Sequence, residues 1–226
     1  MISIRSITLG VLVGALACGN SQPDRRPRTM QELMARKRLE DTRPDSFTIA
    51  ADRGRIEGDS AARVWLVVAG DFQCAECKSW NDDVLPAVRK EYVANGRVRL
   101  AFLNLPQPAH LNAMTAALSA GCASANGRFW ETASRIFATQ ALWKGLPDAR
   151  PFLDSLAISV GVDAATQHSC SERARPTKLV NEDVARLKES GVDAAPTYLI
   201  GTRQLTGRAS LATFRAALDS ALAPGK

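Results

Sequence analysis

The order of apolar and polar positions predicts a strand, a long helix and a second strand in the first folded part of the chain. Residues 64–69 form a continuous apolar run rich in β-branched side chains, which is typical of a strand buried on both faces. Apolar residues then recur at helical spacing over 74–95, where Pro86 predicts a kink. Residues 97–105 alternate between apolar and polar positions as a strand does. The pattern therefore indicates a β-α-β unit.

Helical patterns dominate the rest of the chain, apart from one hairpin. The further predicted elements are a weak strand at 53–57, helices at 110–125, 129–139, 151–160, 164–174 and 177–190, a hairpin at 197–206 and a helix at 210–222. Gly191 is expected to end the fifth of these helices in the left-handed conformation. A sheet flanked by helices, with a helical insertion, fits this order of elements.

The amino terminus has the pattern of an export signal. Residues 7–17 form an apolar run of about eleven residues, which is shorter than the roughly 20 that a membrane-spanning helix needs. Residues 1–17 are therefore predicted to be a signal peptide. Two outcomes fit the small residues before Cys18: it is lipidated, as in bacterial lipoproteins, or it begins a soluble secreted protein. The proline-containing, basic stretch 18–45 predicts a tether.

Composition and charge narrow the class of protein. The chain has 226 residues, of which 46% are hydrophobic and 23% charged, so it is a globular rather than a disordered protein. The formal charge of +6 is scattered without a run of Lys or Arg, so no nucleic-acid partner is expected. Five cysteines with only two histidines do not suit a Cys₂His₂ zinc site, and no metal is expected. His110 and His168 are interpreted as surface or capping residues.

Cys74-Ala75-Glu76-Cys77 is the strongest candidate for chemistry. Two cysteines three positions apart at the start of a helix can close a small disulfide ring. Backbone N–H groups and the helix dipole lower the pKa of a thiol at the first position, and a thiolate is the attacking species in disulfide exchange. Cys74 is therefore expected to be an exposed nucleophile, with Cys77 shielded one turn further on. Half of a zinc site or an inert disulfide are the alternatives.

Ala195-Pro196-Thr197, just before a predicted strand, is a second candidate element. A cis bond before Pro196 would present the backbone of the preceding residue for pairing with an extended peptide. An ordinary trans proline at the end of a loop is the alternative, since only about one X-Pro bond in 20 is cis.

Together these two elements resemble a known family. The segment Asp71-Phe-Gln-Cys74-x-x-Cys77-Lys78, followed far downstream by Gly191-Val-x-x-x-Pro196-Thr197, is similar to the DsbA-like thioredoxin-fold oxidoreductases of the bacterial envelope. The resemblance covers the chain from about Phe47 to its end.

The resemblance implies an α/β fold, namely a thioredoxin fold with an inserted helical subdomain. It places the first part of that fold at 46–107, the insertion at 108–175 and the second part at 176–226. It also implies thiol–disulfide exchange on exported proteins, with Cys74 as nucleophile, Cys77 as the resolving thiol, and Ala195, cis Pro196 and Thr197 as the substrate-binding loop beside them.

Two departures from the family pattern have chemical consequences. Ala75 and Glu76 stand where relatives often carry proline and an aromatic residue or histidine. The carboxylate of Glu76 is expected to raise the pKa of Cys74, partly opposed by Lys78, which would make the disulfide less oxidising than in the strongest family oxidants. Val68 stands where many relatives have a buried acid, so slower resolution by Cys77, or a water in place of the acid, is expected.

Cys122 and Cys170 remain after this assignment. Each lies on a predicted helix of the insertion, and in an exported protein such a pair most simply forms a structural disulfide. Two free buried thiols are the alternative.

The sequence thus predicts an exported thiol–disulfide oxidoreductase without a dissociable cofactor. It would be a monomer in the periplasm or on the outer face of a bacterial membrane, lipid-anchored through Cys18. Its partners would be exported cysteine-containing proteins and a membrane redox partner, either a quinone-linked oxidase or a thiol-shuttling transporter. The alternatives are a non-catalytic thioredoxin-fold lipoprotein that binds peptides, and a carrier of Cu(I) on the two thiolates.

Overall fold

The computed structural model describes residues 45–223. Within that range five strands form one mixed sheet in the order β1-β3-β2-β4-β5. The strands are β1 Ile56–Glu57, β2 Val64–Gly70, β3 Val98–Asn104, β4 Thr197–Ile200 and β5 Arg203–Thr206. The signal peptide, Cys18 and all but the last residue of the predicted tether lie outside the described residues.

Nine helices accompany the sheet in the described part of the chain. They are α1 Ser46–Gly54, α2 (the consecutive segments Ala75–Ser79, Trp80–Val84, Leu85–Val88 and Arg89–Val93), α3 Ala113–Ala125, α4 Phe129–Ala138, α5 Gln140–Trp143, α6 Arg150–Ser159, α7 Ala164–Ser171, α8 Ala174–Glu189 and α9 Leu211–Leu222. No helix in the described range is both long enough and apolar enough to cross a membrane.

The central strands carry the predicted β-α-β unit. β2 runs parallel to β3, with Val68 opposite Phe102, and antiparallel to β4, with Ala69 opposite Thr197. One face of β2 is buried along its whole length, whereas the other is exposed at Trp65, partly buried at Val67 and fully buried at Ala69. The register brings the carboxyl end of β2 next to the amino end of β4, and these two ends carry the two candidate elements of the sequence.

Helix α2 continues through Pro86. One π-helical turn lies on each side of the proline. The Leu85 N–H donates to the carbonyl of Trp80, five residues back, and the Ala94 N–H donates likewise to Arg89. Wider turns leave room for a ring that lacks an N–H donor, so the helix continues.

The predicted strand at 53–57 was wrong over its first half. Those residues end α1, whose first turn is capped by Asp45 through a 2.8 Å hydrogen bond from the Thr48 N–H. Gly54 is required there because a side chain would meet the carbonyl oxygen of Ser124 on α3 at 2.0 Å. Only Ile56 and Glu57 pair with β3.

Helices α3 to α7 lie between β3 and α8 in the chain and form the helical insertion. Cys122 on α3 and Cys170 on α7 are joined by a disulfide with an S–S distance of 2.07 Å. Near it the buried carboxylate of Asp154 on α6 accepts hydrogen bonds from Ser119 (2.9 Å), Gln167 (2.8 Å) and Ser171 (2.9 Å). One covalent and three polar links therefore hold α3, α6 and α7 together.

Candidate active site

Cys74 lies at the N-cap of α2, immediately after the turn that follows β2. Its backbone is extended (φ −73°, ψ 127°), and its sulfur accepts a hydrogen bond from the Cys77 N–H at 3.4 Å. An N-cap position places the side chain among the unpaired N–H groups of the first helical turn. The sulfur is therefore held where negative charge is stabilised.

The two cysteines are free thiols with opposite acidities. Hydrogen bonds from the Cys77 side chain and from the backbone N–H groups of Cys77 and Glu76 lower the pKa of Cys74 to about 6. Burial raises the pKa of Cys77, and the neighbouring Cys74 adds to the effect. One thiol is thus ionised near neutral pH while its partner keeps its proton.

Cys74 is more buried than the sequence suggested. It was expected to be exposed, but only 7% of its surface is accessible, against 2% for Cys77. The helical insertion contacts the turn that carries Cys74 through Gln140 on α5. The side-chain amide of Gln140 donates to the carbonyls of Phe72 (2.8 Å) and Cys74 (3.1 Å). Cys74 nevertheless remains the more accessible of the two sulfurs.

The proline loop lies directly beside the cysteines. The Ala195–Pro196 bond is cis, and the Cys74 sulfur lies 3.7 Å from the carbonyl oxygen of Ala195, to which the protonated thiol donates. Thr197 is buried, and its hydroxyl donates to the Ala194 carbonyl at 2.7 Å. Of the three predicted loop residues, Ala195 therefore contacts the reactive sulfur, whereas Thr197 holds the shape of the loop.

Asp71 is a site residue that the sequence reasoning missed. Its side chain is fully buried, and its backbone N–H donates to the Cys77 sulfur at 3.4 Å. The carboxylate accepts hydrogen bonds from the backbone of Gln73 and Gln107 and from the ring of His110, each at 2.7 Å. An aspartate directly after a buried strand and three positions before Cys74 was the available signal.

Asp71 also changes the expectation that the site lacks a buried acid because Val68 stands where many relatives carry one. Val68 is buried in the sheet, as an apolar strand residue should be. The acid near Cys77 is supplied three residues later, from the turn instead of from the strand. The site therefore contains a buried carboxylate close to Cys77.

Glu76 and Lys78 were expected to change the pKa of Cys74 through the charges of their side chains, and the structure shows other contacts for both. The carboxylate whose charge opposes ionisation of Cys74 belongs to Asp71, whereas Glu76, whose side chain is exposed, contributes a backbone N–H that lowers the pKa of Cys74. Lys78 forms an ion pair with Asp82 on the outer side of α2. Among residues 45–223 no group of three or more His, Cys, Asp or Glu side chains could hold a metal ion.

The acidity of Cys74 leads to a testable pH dependence. The rate of its alkylation by iodoacetamide in the reduced protein is expected to rise with pH and to be half-maximal near pH 6, because the thiolate reacts and the pKa is about 6. In a Cys77→Ala variant the midpoint is expected to move upward, since the thiol of Cys77 makes the largest contribution to the low pKa. A midpoint near that of an ordinary thiol in the unmodified chain would contradict the geometry.

Comparisons with known sequences agree with this site. A family model described as Thioredoxin matches residues 50–220. The chain is 43% identical over 49 residues to the probable disulfide bond formation protein D of Bacillus cereus, covering 22% of this chain and 23% of that protein. It is 29% identical over 177 residues to the Na(+)/H(+) antiporter NhaA 1 of Salinispora arenicola, covering 76% of this chain and 25% of the antiporter. The chain thus spans about a quarter of the length of the curated relatives it matches.

Solved structures show the same architecture. Oxidised BdbD from Bacillus subtilis superposes with a TM-score of 0.68 at 22% identity, over 75% of this chain and 94% of that one. Wolbachia pipientis alpha-DsbA1 gives 0.65 at 18% identity, over 74% and 90%. Chlamydia trachomatis DsbA gives 0.63 at 18% identity, over 74% and 90%. The expected DsbA-like thioredoxin fold, with helices inserted between β3 and α8, is confirmed. With the family model covering most of its length, this chain belongs to the thioredoxin family.

Proposed function

We propose that this protein carries out thiol–disulfide exchange on exported, cysteine-containing proteins, with Cys74 as the attacking and leaving sulfur and Cys77 as its partner. The observation that carries the proposal is the pairing of an acidic thiol at a helix start with a buried, weakly acidic thiol one turn away. Thiol–disulfide exchange needs this asymmetry, because one sulfur must ionise readily while the other stays protonated until it reacts.

The acidity of Cys74 favours oxidation of the client. A client thiolate attacks the Cys74 sulfur of the Cys74–Cys77 disulfide, and Cys77 leaves and takes up a proton. A second client thiolate then attacks the client sulfur of the mixed disulfide and expels Cys74 as a thiolate. The client loses two electrons and forms one disulfide, while the cysteine pair gains the same two electrons. A thiol of low pKa leaves faster, so the second step benefits from the pKa of about 6 at Cys74.

The proline loop supports binding of an extended client segment. The Ala195 carbonyl faces the Cys74 sulfur, and backbone groups at this position can pair with a peptide strand. A groove of about 410 Å³ lies further along α2, with Glu76, Trp80, Tyr198 and Arg208 among its lining residues. Client residues that flank the reacting cysteine would lie in this groove.

The proposed location rests on the amino-terminal sequence. The apolar run at 7–17 and the small residues before Cys18 support export and attachment by a lipid at Cys18. The same location would give the protein access to a membrane partner that restores its disulfide.

Trapping of clients tests the proposal. A Cys77→Ser variant expressed in a bacterial envelope is expected to accumulate client adducts joined through Cys74. Its Cys74 thiolate can still attack a client disulfide and expel one client thiol, and the resulting mixed disulfide can no longer be attacked by Cys77. The adducts should disappear on reduction with dithiothreitol.

The matched control is Cys74→Ser combined with Cys77→Ser, which keeps both side-chain volumes and removes both thiols. Adducts of equal amount in the control, or none with Cys77→Ser, would contradict exchange through Cys74 and favour the alternative of a non-catalytic peptide-binding module.

A further inference from the structure

Asp71 and His110 form a half-buried polar pair next to the two sulfurs. The His110 Nδ1 lies 2.7 Å from Asp71 Oδ2, and the histidine side chain is 31% exposed while that of Asp71 is fully buried. Since an ionised carboxylate only accepts hydrogen bonds, Nδ1 carries the shared hydrogen. The outer nitrogen, Nε2, is therefore the atom at which the ring gains or loses a proton.

Asp71 is rigidly placed between the site and the insertion. Its carboxylate accepts the Gln73 N–H from the turn before Cys74 and the Gln107 N–H from the loop after β3. Its own backbone N–H points at the Cys77 sulfur. Two amides and one ring therefore fix the orientation of the carboxylate.

The charge of Asp71 acts on both cysteines. Hydrogen bonds from Cys77 hold the pKa of Cys74 at about 6, but the carboxylate of Asp71 works against this ionisation. Burial is the main cause of the raised pKa of Cys77, and Asp71 adds to it. A proton on His110 would offset the negative charge of the Asp71 carboxylate, so that this charge would no longer oppose ionisation of Cys74.

We propose that His110 is a positioning residue of the redox site that acts through Asp71: its protonation neutralises the buried carboxylate and makes the Cys74 thiolate easier to form. The inference rests on the proposed function, because only an exchanging site cycles between a thiolate and a disulfide. Oxidation of a client dithiol by the Cys74–Cys77 disulfide yields the client disulfide, the Cys74 thiolate, the Cys77 thiol and one proton. His110 is the group placed to receive that proton.

The charged groups around the pair come from three elements. The turn after β2 supplies Asp71, and α2 supplies the two thiols, Glu76 and Lys78. The loop after α5 supplies Lys144, whose carbonyl accepts a hydrogen bond from Asn112, two residues beyond His110, and whose side chain is exposed. Glu76 is also exposed, and Lys78 is paired with Asp82, so Asp71 is the charge in direct contact with the ring.

Titration of the two histidines by NMR in the unaltered full chain tests the coupling directly. Because coupling between two sites is reciprocal, His110 is expected to bind its proton about threefold more tightly in the reduced than in the oxidised protein. His168, exposed on α7, serves as the internal control and is expected to titrate alike in both forms. Identical titration of His110 in the two redox states would overturn the inference.

A variant provides the second measurement. His110→Asn keeps a donor toward Asp71 but cannot carry a charge, so alkylation of Cys74 at about pH 5 is expected to slow about threefold. His168→Asn is the control and should leave the rate unchanged. An unchanged or faster rate with His110→Asn would overturn the inference. Trapping of clients by Cys77→Ser does not depend on this coupling, so a failure here and a failure of the proposed function can be told apart.

Discussion

Replacement of Cys74 by serine is expected to reduce disulfide exchange to the uncatalysed background while leaving the folded state intact. The variant lacks the sulfur that attacks and leaves, and a serine hydroxyl has no comparable chemistry near neutral pH. Serine is nevertheless among the best N-cap residues, so its hydroxyl should accept the Cys77 N–H that the Cys74 sulfur accepts now. The free energy of unfolding of the reduced protein should therefore change by less than about 1 kcal/mol.

Two assays separate the parts of this expectation. Oxidation of a reduced peptide with two cysteines measures exchange, and urea denaturation of the reduced protein measures stability. Cys77→Ser is the matched control, because it leaves the Cys74 sulfur in place but cannot form the Cys74–Cys77 disulfide, so it should not oxidise the peptide either. Turnover that survives in Cys74→Ser would show that Cys77 can act alone, which its burial and raised pKa oppose.

Removal of the Cys122–Cys170 bridge is expected to cost about 4 kcal/mol of unfolding free energy. The bridge joins residues 48 positions apart, and the chain-entropy model gives this value for a loop of that length. A Cys122→Ala, Cys170→Ala double variant should therefore unfold at clearly lower urea concentration than the unmodified protein with its bridge intact.

Chemistry at the redox pair should survive this change at temperatures where the variant is folded. The bridge joins α3 to α7, whereas the links from the insertion to the cysteine turn come from α5 and from the loop before α3. Alkylation of Cys74 in the bridge variant should keep its midpoint near pH 6. A loss of stability below about 1 kcal/mol, or a shifted midpoint, would show that the bridge has a different role.

Local patterns in the sequence predicted the parts of the fold that depend on near neighbours. The unbroken apolar run of β2, the helix that starts after Cys74 and the hairpin of β4 and β5 each follow from short-range periodicity. The position of Cys74 at a helix start, which determines its acidity, followed from the same reasoning.

The contacts that complete the site were beyond that reasoning because they join distant parts of the chain. Asp71 and His110 are 39 positions apart, and Gln140 is 66 positions from Cys74. A lone aspartate in a turn and a lone glutamine on a short helix carry no pattern that indicates a partner. The π-helical turns beside Pro86 were missed for a different reason: apolar spacing alone does not distinguish an α-helical turn from a widened one.

The hydrogen bonds of the Gln140 side chain limit how far the helical insertion of this protein can be shortened. The hydrogen bonds from its NH₂ group tie α5 to the turn that carries Cys74. The side-chain oxygen of Gln73 in the same turn also accepts a hydrogen bond from the Asn112 N–H at 2.8 Å. Excising the inserted helices to leave a bare thioredoxin core would remove the Gln140 donor from the backbone carbonyls of Phe72 and Cys74, and the Cys74 carbonyl would keep only the Lys78 N–H. A minimal scaffold for engineering must therefore retain α5, or supply a new donor at the same point.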